Sequence, residues 1–364
     1  MKLDKTILVM DWLDAYAGSE QVVKYLHQVY KFDKLYLLTN IMPPKNIKKI
    51  FGDAPVLIKS TSLSLFGNKF RIALPLFPLF LKQLKIKEEN ALIISVTHSV
   101  VKGVSYNSNN SKHISYLVAR NLKYVWEEKD LYFKGFKRLG SFFIPYLRRF
   151  DVKMSKKPTA IFSVSNFVSD WAKRKYNREI LTINPPVNID DFEFEANKEN
   201  FYISVGRLEP YKRYDILIDA FNENGKKLII IGDGSLLESL REKANSNIEF
   251  KGFLFSEKYK DLLKKAKAFI FCGKEDFGIA LLEPQVCGTP VIAYGDGGAL
   301  DIVVDKKTGI IYNDQSVDSL IDAIVLFEQS VFDYDIIRKH ALGFSIENFK
   351  LKFQERVYDV LGKS

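Results

Sequence analysis

Glu275-Asp-Phe277-Gly278-Ile279-Ala-Leu-Leu-Glu283 follows the apolar run 268–272 and precedes Cys287-Gly-Thr-Pro290-Val. The apolar run reads as a buried strand, and in an open α/β sheet ligands bind outside the carboxyl ends of the strands. Glu275, at the start of the loop that follows, is therefore expected at a ligand site. Gly278 lets backbone approach a ligand, and the amides from Ile279 onward are expected to open a helix whose N-terminus favours phosphate. Glu283 can accept hydrogen bonds from two adjacent hydroxyls. The competing reading of the same nine residues is two solvated glutamates at the ends of an amphipathic helix.

Working outward, short β-branched runs alternate with longer amphipathic segments, at 6–10, 35–38, 91–95, 114–117, 159–164 and 180–183. The alternation restarts after the acidic, turn-prone stretch 190–200, with runs at 202–205, 227–231, 268–272, 290–294 and 309–312. This is the pattern of parallel sheets covered by helices, so the fold class is α/β with two doubly wound, Rossmann-like domains. A length of 364 residues suits two domains. Pro185-Pro186 cannot continue a helix and places the boundary. The expected division is 1–188, 189–345 and a terminal amphipathic helix, within 346–364, that packs back on the first domain; Phe349, Phe353, Val357 and Leu361 give it its apolar face.

Apolar residues make up 47% of the chain, which excludes a disordered protein. The N-terminus lacks the pattern of a secretion signal, and a cytoplasmic location is expected. Cys272 and Cys287, in apolar surroundings without metal-ligand spacing, read as buried structural thiols. The net charge of +10 is unevenly divided: residues 1–190 carry 31 Lys and Arg against 15 Asp and Glu, whereas residues 191–364 carry 23 against 29. A basic half of this kind is a solvated surface, a nucleic-acid face, or a face drawn to anionic lipid or a lipid-linked acceptor. No nucleic-acid-binding signature accompanies the charge, so nucleic acid is not expected as a partner.

Several further segments accompany the first. Gly206-Arg207-Leu-Glu-Pro-Tyr-Lys212-Arg213, Gly232-Asp-Gly234 and Gly295-Asp-Gly-Gly-Ala-Leu-Asp301 stand in the second half of the chain, and Ala17-Gly18-Ser-Glu20 and Asn184-Pro-Pro-Val-Asn188 in the first part. Together with the E-x7-E stretch they resemble retaining glycosyltransferase family 4, whose architecture is GT-B: two Rossmann-like domains facing a cleft. Thr97-His98-Ser-Val-Val-Lys-Gly103 and Arg207 through Arg213 are most similar to its bacterial O-antigen and capsule mannosyltransferases.

The resemblance implies a metal-independent, retaining transfer of a hexose from a nucleotide diphosphate sugar, GDP-mannose first and a UDP-sugar second, to a lipid-linked or saccharide acceptor in surface polysaccharide synthesis. It assigns Glu275 to the donor-sugar hydroxyls, Glu283 to the ribose, and Arg207 and Lys212 to the diphosphate. Gly18, Gly206, Phe277, Gly278 and Ile279 join the donor site. It implies no cofactor. Independently, a departing nucleotide diphosphate gains negative charge, which a guanidinium and an ammonium stabilise. Their other reading is surface charge at a strand end.

The chain departs from the family at three places. Where the family has a histidine after the strand at 114–117, this sequence reads Leu117-Val-Ala-Arg120-Asn121. Arg120 either contacts donor or acceptor or faces solvent; His98 is the remaining histidine candidate, as ligand contact or structural residue. Ala17 replaces the first glycine of the N-terminal loop, narrowing its backbone angles. Pro284 removes a helical donor beside Glu283 and is expected to distort the helix. The Asp333-Tyr-Asp335 pair reads as a helix cap rather than a metal ligand. A nucleotide-sugar epimerase and a non-catalytic nucleotide-sugar or lipid-binding subunit are the alternative functions.

Two parts of the basic half are unusually apolar. Residues 72–81 form an uninterrupted apolar run, too short to span a bilayer, and segments 131–138 and 142–149 alternate aromatics with cations. Both fit either core helices or a peripheral contact with an anionic membrane at its inner face.

Overall fold

Strands buried on both faces need continuous apolar runs, and the chain supplies them twice. The computed structural model describes residues 3–53, 56–127, 142–254 and 256–362. They divide into one unit made of residues 1–184 and 350–364 and a second of residues 185–349.

In the first unit, β1 (Lys5–Leu13), β2 (Lys34–Asn40), β3 (Leu57–Ser60), β4 (Ala91–Thr97), β5 (Lys112–Leu117), β6 (Ala160–Ser163) and β7 (Leu181–Thr182) form one parallel sheet in the order β3-β2-β1-β4-β5-β6-β7. In the second, β8 (Tyr202–Val205), β9 (Leu228–Ile231), β10 (Ile248–Gly252), β11 (Ala268–Phe271), β12 (Val291–Tyr294) and β13 (Gly309–Tyr312) are parallel in the order β10-β9-β8-β11-β12-β13. The first strand of each unit lies between its second and fourth. The sheet thus reverses direction beside β1 and beside β8, which opens a ligand crevice at their carboxyl ends. Register is tight there: Ile203 faces Ile229 on one side and Phe269 on the other.

Two strands, β3 and β10, go beyond the runs read from sequence, and both are edge strands. An edge strand is half-solvated, so Leu57-Ile-Lys-Ser and Ile248-Glu-Phe-Lys-Gly carry charges among their apolar residues instead of a solid apolar run. The terminal helix, Ile346–Gly362, buries Phe349, Phe353 and Val357. Phe353 meets Tyr30, Tyr116 and Phe162 edge-on, at ring separations of 6.1, 5.6 and 5.5 Å.

The apolar run 72–81 is divided between two roles. Phe77 and Leu81 join Phe70 in the first unit's core, while Ile72, Leu76 and Leu79 stay exposed, Ile72 at 76%. Segment 131–138 lies outside the described residues. No helix among the described residues is long and apolar enough to cross a membrane.

Candidate active site

The second unit's crevice is built where β8 and β11 end. Gly206 follows β8 directly and donates its amide to Ile231. Arg207 is exposed, with Nη2 donating to the Tyr211 hydroxyl at 2.9 Å. A single 3-10 turn, Pro210–Lys212, then carries Lys212 back toward the sheet. Lys212 is nearly buried; its ammonium lies 5.0 Å from the Phe271 ring centroid and ion-pairs with Glu275 Oε1. Residues from the loops after β8 and after β11, more than 60 positions apart in sequence, thereby meet at the switch point.

The backbone around Glu275 is held from both sides. Its carbonyl accepts the Gly298 amide at 2.8 Å, and it bridges to Gly297. A Cβ on Gly298 would collide with the Phe277 backbone, which is why Gly297-Gly298 has to be glycine at this approach. Beside it, Lys274 pairs with Asp296 at 2.5 Å. Gly278 adopts φ +96°, a left-handed turn that keeps the backbone close to the Glu275 carboxylate. Glu209 accepts from Ser235 Oγ at 2.7 Å, tying the loop after β8 to the Gly232-Asp-Gly234 turn after β9.

The E-x7-E stretch is not one continuous helix. Ile279–Leu281 is a 3-10 turn and Leu282–Val286 a separate short α-helix. This corrects the expectation for Pro284. It sits in the first turn of the new helix, where no intrahelical donor is required, so it marks the change of helix type and does not break an α-helix. Phe277 is buried, 6.4 Å from Phe344, and Ile279 opens the 3-10 turn half-buried. Glu283 accepts a hydrogen bond from the Tyr259 hydroxyl, and burial raises its carboxyl above the usual range, with Asp191 adding to the rise. Cys272 and Cys287 are buried thiols, each pushed up to about 12 by burial. Asp333 caps the helix Tyr334–Leu342 through the Ile336 amide at 3.1 Å.

In the first unit, the corresponding crevice beside β1 and β4 is organised by Asp11, which sequence reasoning passed over. Fully buried, it accepts from Thr97 Oγ1 (2.8 Å) and from the amides of His98 (2.8 Å), Ser99 (2.9 Å), Val100 (2.8 Å) and Val101 (3.1 Å). The available signal was an acid inside an apolar strand, Val9-Met-Asp11-Trp-Leu13. His98 stacks edge-on against Trp12 at 4.3 Å, and burial lowers its pKa, so the ring is neutral at pH 7.

Gly18 begins the helix Gly18–Tyr30. Ala17 caps it in an extended conformation open to any residue, so its replacement of glycine carries no backbone strain, and its amide donates to Glu20 at 3.0 Å. Arg120 does not face solvent: it is buried, its guanidinium 4.9 Å from the Phe167 ring centroid.

Residues 188–339, within the second unit, match the family model of glycosyl transferases group 1. Over 198 residues the chain is 28% identical to an uncharacterized glycosyltransferase of Methanocaldococcus jannaschii, covering 53% of this chain and 55% of the relative. It is 31% identical over 140 residues to the GDP-mannose-dependent α-(1-6)-phosphatidylinositol monomannoside mannosyltransferase of Mycobacterium tuberculosis, covering 34% and 36%. It is 27% identical over 208 residues to the O-antigen chain mannosyltransferase RfbU of Salmonella typhimurium, covering 51% and 59%. The chain thus spans between about a third and just over half the length of these relatives.

Among solved structures, HepE of Anabaena in complex with UDP has a TM-score of 0.71 at 16% identity, covering 99% of this chain and 100% of that one. The lipopolysaccharide outer core galactosyltransferase WaaB has a TM-score of 0.68 at 16% identity, covering 98% and 99%. At such identities the likeness is one of fold, and the fold is GT-B.

Proposed function

We propose that this chain is a retaining glycosyltransferase. It moves a hexose, mannose in the first instance, from a nucleotide diphosphate sugar to a lipid-linked or saccharide acceptor of a surface polysaccharide. The observation that carries the reading is the meeting of Lys212 and Glu275 at the crevice beside β8, with Arg207 on the same loop. The mannosyltransferase relatives favour GDP-mannose; the UDP bound by HepE keeps a UDP-sugar as the second donor.

In this mechanism Glu275 orients the donor sugar and Glu283 holds the ribose. Arg207 and Lys212 act on the diphosphate in place of a metal ion. Charge on the diphosphate grows as the glycosidic bond breaks, so fixed cations aimed at it favour the transition state over the ground state. Substitution proceeds on the same face of the sugar, with the leaving phosphate taking the acceptor's proton. His98 and Arg120 are the contacts offered by the first unit. The basic first unit brings the enzyme to the anionic inner face of the membrane, where a lipid-linked acceptor resides.

The test is turnover of purified protein with GDP-mannose and with UDP-sugars, following nucleoside diphosphate release with and without an added lipid-linked acceptor. Acceptor-dependent release with retained anomeric configuration is the expected result. Isomerisation of the sugar without release would identify an epimerase.

A further inference from the structure

The helix Ile144–Met154 forms one wall of an open cavity of about 400 Å³ lined by Trp126, Arg148, Arg149, Val152, Lys153 and Lys156. Four of these six side chains are cations, and none is acidic. The only acid of the helix, Asp151, turns inward. It is fully buried, ion-paired to Lys102, and accepts from Trp126 Nε1 at 2.9 Å and the Tyr176 hydroxyl at 3.0 Å. Arg148 is spent on carbonyls, donating to Val125 at 2.8 Å and Trp126 at 3.2 Å, and it stacks 5.0 Å from the Trp126 ring centroid. Arg149, Lys153 and Lys156 are exposed, and none of the three has an ion-pair partner among the described residues.

The spacing of these cations continues a longer stripe. Phe142, Tyr146, Arg149, Lys153 and Lys156 recur every three or four residues: Tyr146, Arg149 and Lys153 lie along one side of the helix, with Phe142 just before its start and Lys156 just past its end. Its leading end is aromatic and exposed, Phe142 at 82%, with Phe143 exposed beside it. An aromatic end followed by unpaired cations matches the layering of a membrane surface, where rings enter the headgroup boundary and cations meet phosphates.

We infer that this cavity and stripe bind the phosphate of an anionic lipid, with Arg149, Lys153 and Lys156 as the phosphate contacts and Phe142 and Tyr146 entering the bilayer boundary. This rests on the reading that the enzyme works at a membrane, and it assigns that contact to one helix rather than to the basic unit as a whole.

The experiment is co-sedimentation with phosphatidylcholine vesicles with and without phosphatidylglycerol. The triple variant Arg149→Gln/Lys153→Gln/Lys156→Gln is compared with Lys45→Gln/Lys48→Gln/Lys49→Gln, which removes equal charge from an exposed helix elsewhere in the same unit, Pro44–Phe51. Circular dichroism verifies folding of both. Each cation at an anionic surface is worth roughly fivefold in affinity, so the first variant is expected to bind phosphatidylglycerol vesicles on the order of 100-fold more weakly, and the second to change much less. Phe142→Ser/Tyr146→Ser should weaken binding at high salt, where the charge is screened. Equal losses in the two lysine and arginine variants would overturn the site while leaving membrane binding intact. No binding of wild type to phosphatidylglycerol vesicles would overturn both, and so would a stronger preference for an oligonucleotide.

Discussion

Lys212 Nζ and Glu275 Oε1 form an ion pair between the loop after β8 and the loop after β11, and each is the other's charged partner before any donor enters. In the proposed mechanism the two serve different parts of one substrate, so donor binding redistributes this pair instead of filling a preformed cation site. The two residues are then coupled. Lys212→Ala and Glu275→Ala should each lower kcat by 10-fold or more, while the double variant should fall short of the product of the two losses by the 0.5–3 kcal/mol typical of contacting residues. Steady-state kinetics on the cycle of four proteins measures the coupling; strictly multiplicative losses would show that the residues act independently.

Arg207 offers a planar fork, able to hold two phosphate oxygens, where Lys212 offers a point charge. Arg207→Lys is therefore expected to lose substantial turnover although charge is conserved, and Lys212→Arg to be tolerated better. In both alanine variants kcat should fall more than donor affinity, because the cations act on charge that develops in the transition state. Wild type should retain its rate in EDTA. Full dependence on added magnesium or manganese, together with near-normal turnover in both alanine variants, would rule out two side chains in the metal's role.

Much of this arrangement was legible in the chain itself because the residues responsible are punctuated by glycine. Gly206, Gly278 and Gly297-Gly298 mark places where backbone meets backbone or turns left-handed, and they flank the charged residues of the site. The central strands were legible for the same reason that they are central: burial on both faces demands unbroken apolar runs. The edge strands β3 and β10 escaped because half-solvated strands dilute that signal with charge. Asp11 and Tyr259 escaped for a different reason. Their importance lies in partners distant in sequence, the amides of 98–101 and the carboxylate of Glu283, and no local spacing encodes such a pairing.

His113 gives the first unit a pH dependence unrelated to catalysis. It is fully buried on β5, its Nε2 is 2.8 Å from Ser95 Oγ, and burial pushes its pKa down to about 3, with Lys157 and Arg178 contributing. Above pH 6.5 the ring is neutral in both folded and unfolded chains and costs nothing. As pH falls below 6.5 the unfolded chain takes up a proton that the folded chain refuses, so stability declines toward pH 3 at up to about 1.4 kcal/mol per pH unit. His113→Gln should be less sensitive to acid, narrowing the loss between pH 7.5 and 5.5 by about 1 kcal/mol in urea titrations of the first unit. An unchanged pH slope would mean that His113 is protonated in the fold.

Glu283 should trade stability for binding. Burial raises its carboxyl in the fold, the Tyr259 hydroxyl offsets part of that rise, and the unfolded chain keeps the ordinary value. The folded protein therefore retains a proton that the unfolded chain has already released, and stability falls as pH rises from the ordinary carboxylate range through the raised value. Glu283→Gln removes the titration. Its melting temperature should match wild type near pH 4.5 and exceed it at pH 7.5. The same substitution deletes a charged acceptor for the ribose, so GDP or UDP binding by calorimetry should weaken by roughly 1–3 kcal/mol. Glu275→Ala should behave in the opposite sense, keeping the affinity for free nucleoside diphosphate while losing turnover, because its part is the sugar. A Glu283→Gln protein that binds nucleoside diphosphate as well as wild type would remove Glu283 from the donor site and leave Tyr259 as its only assigned partner.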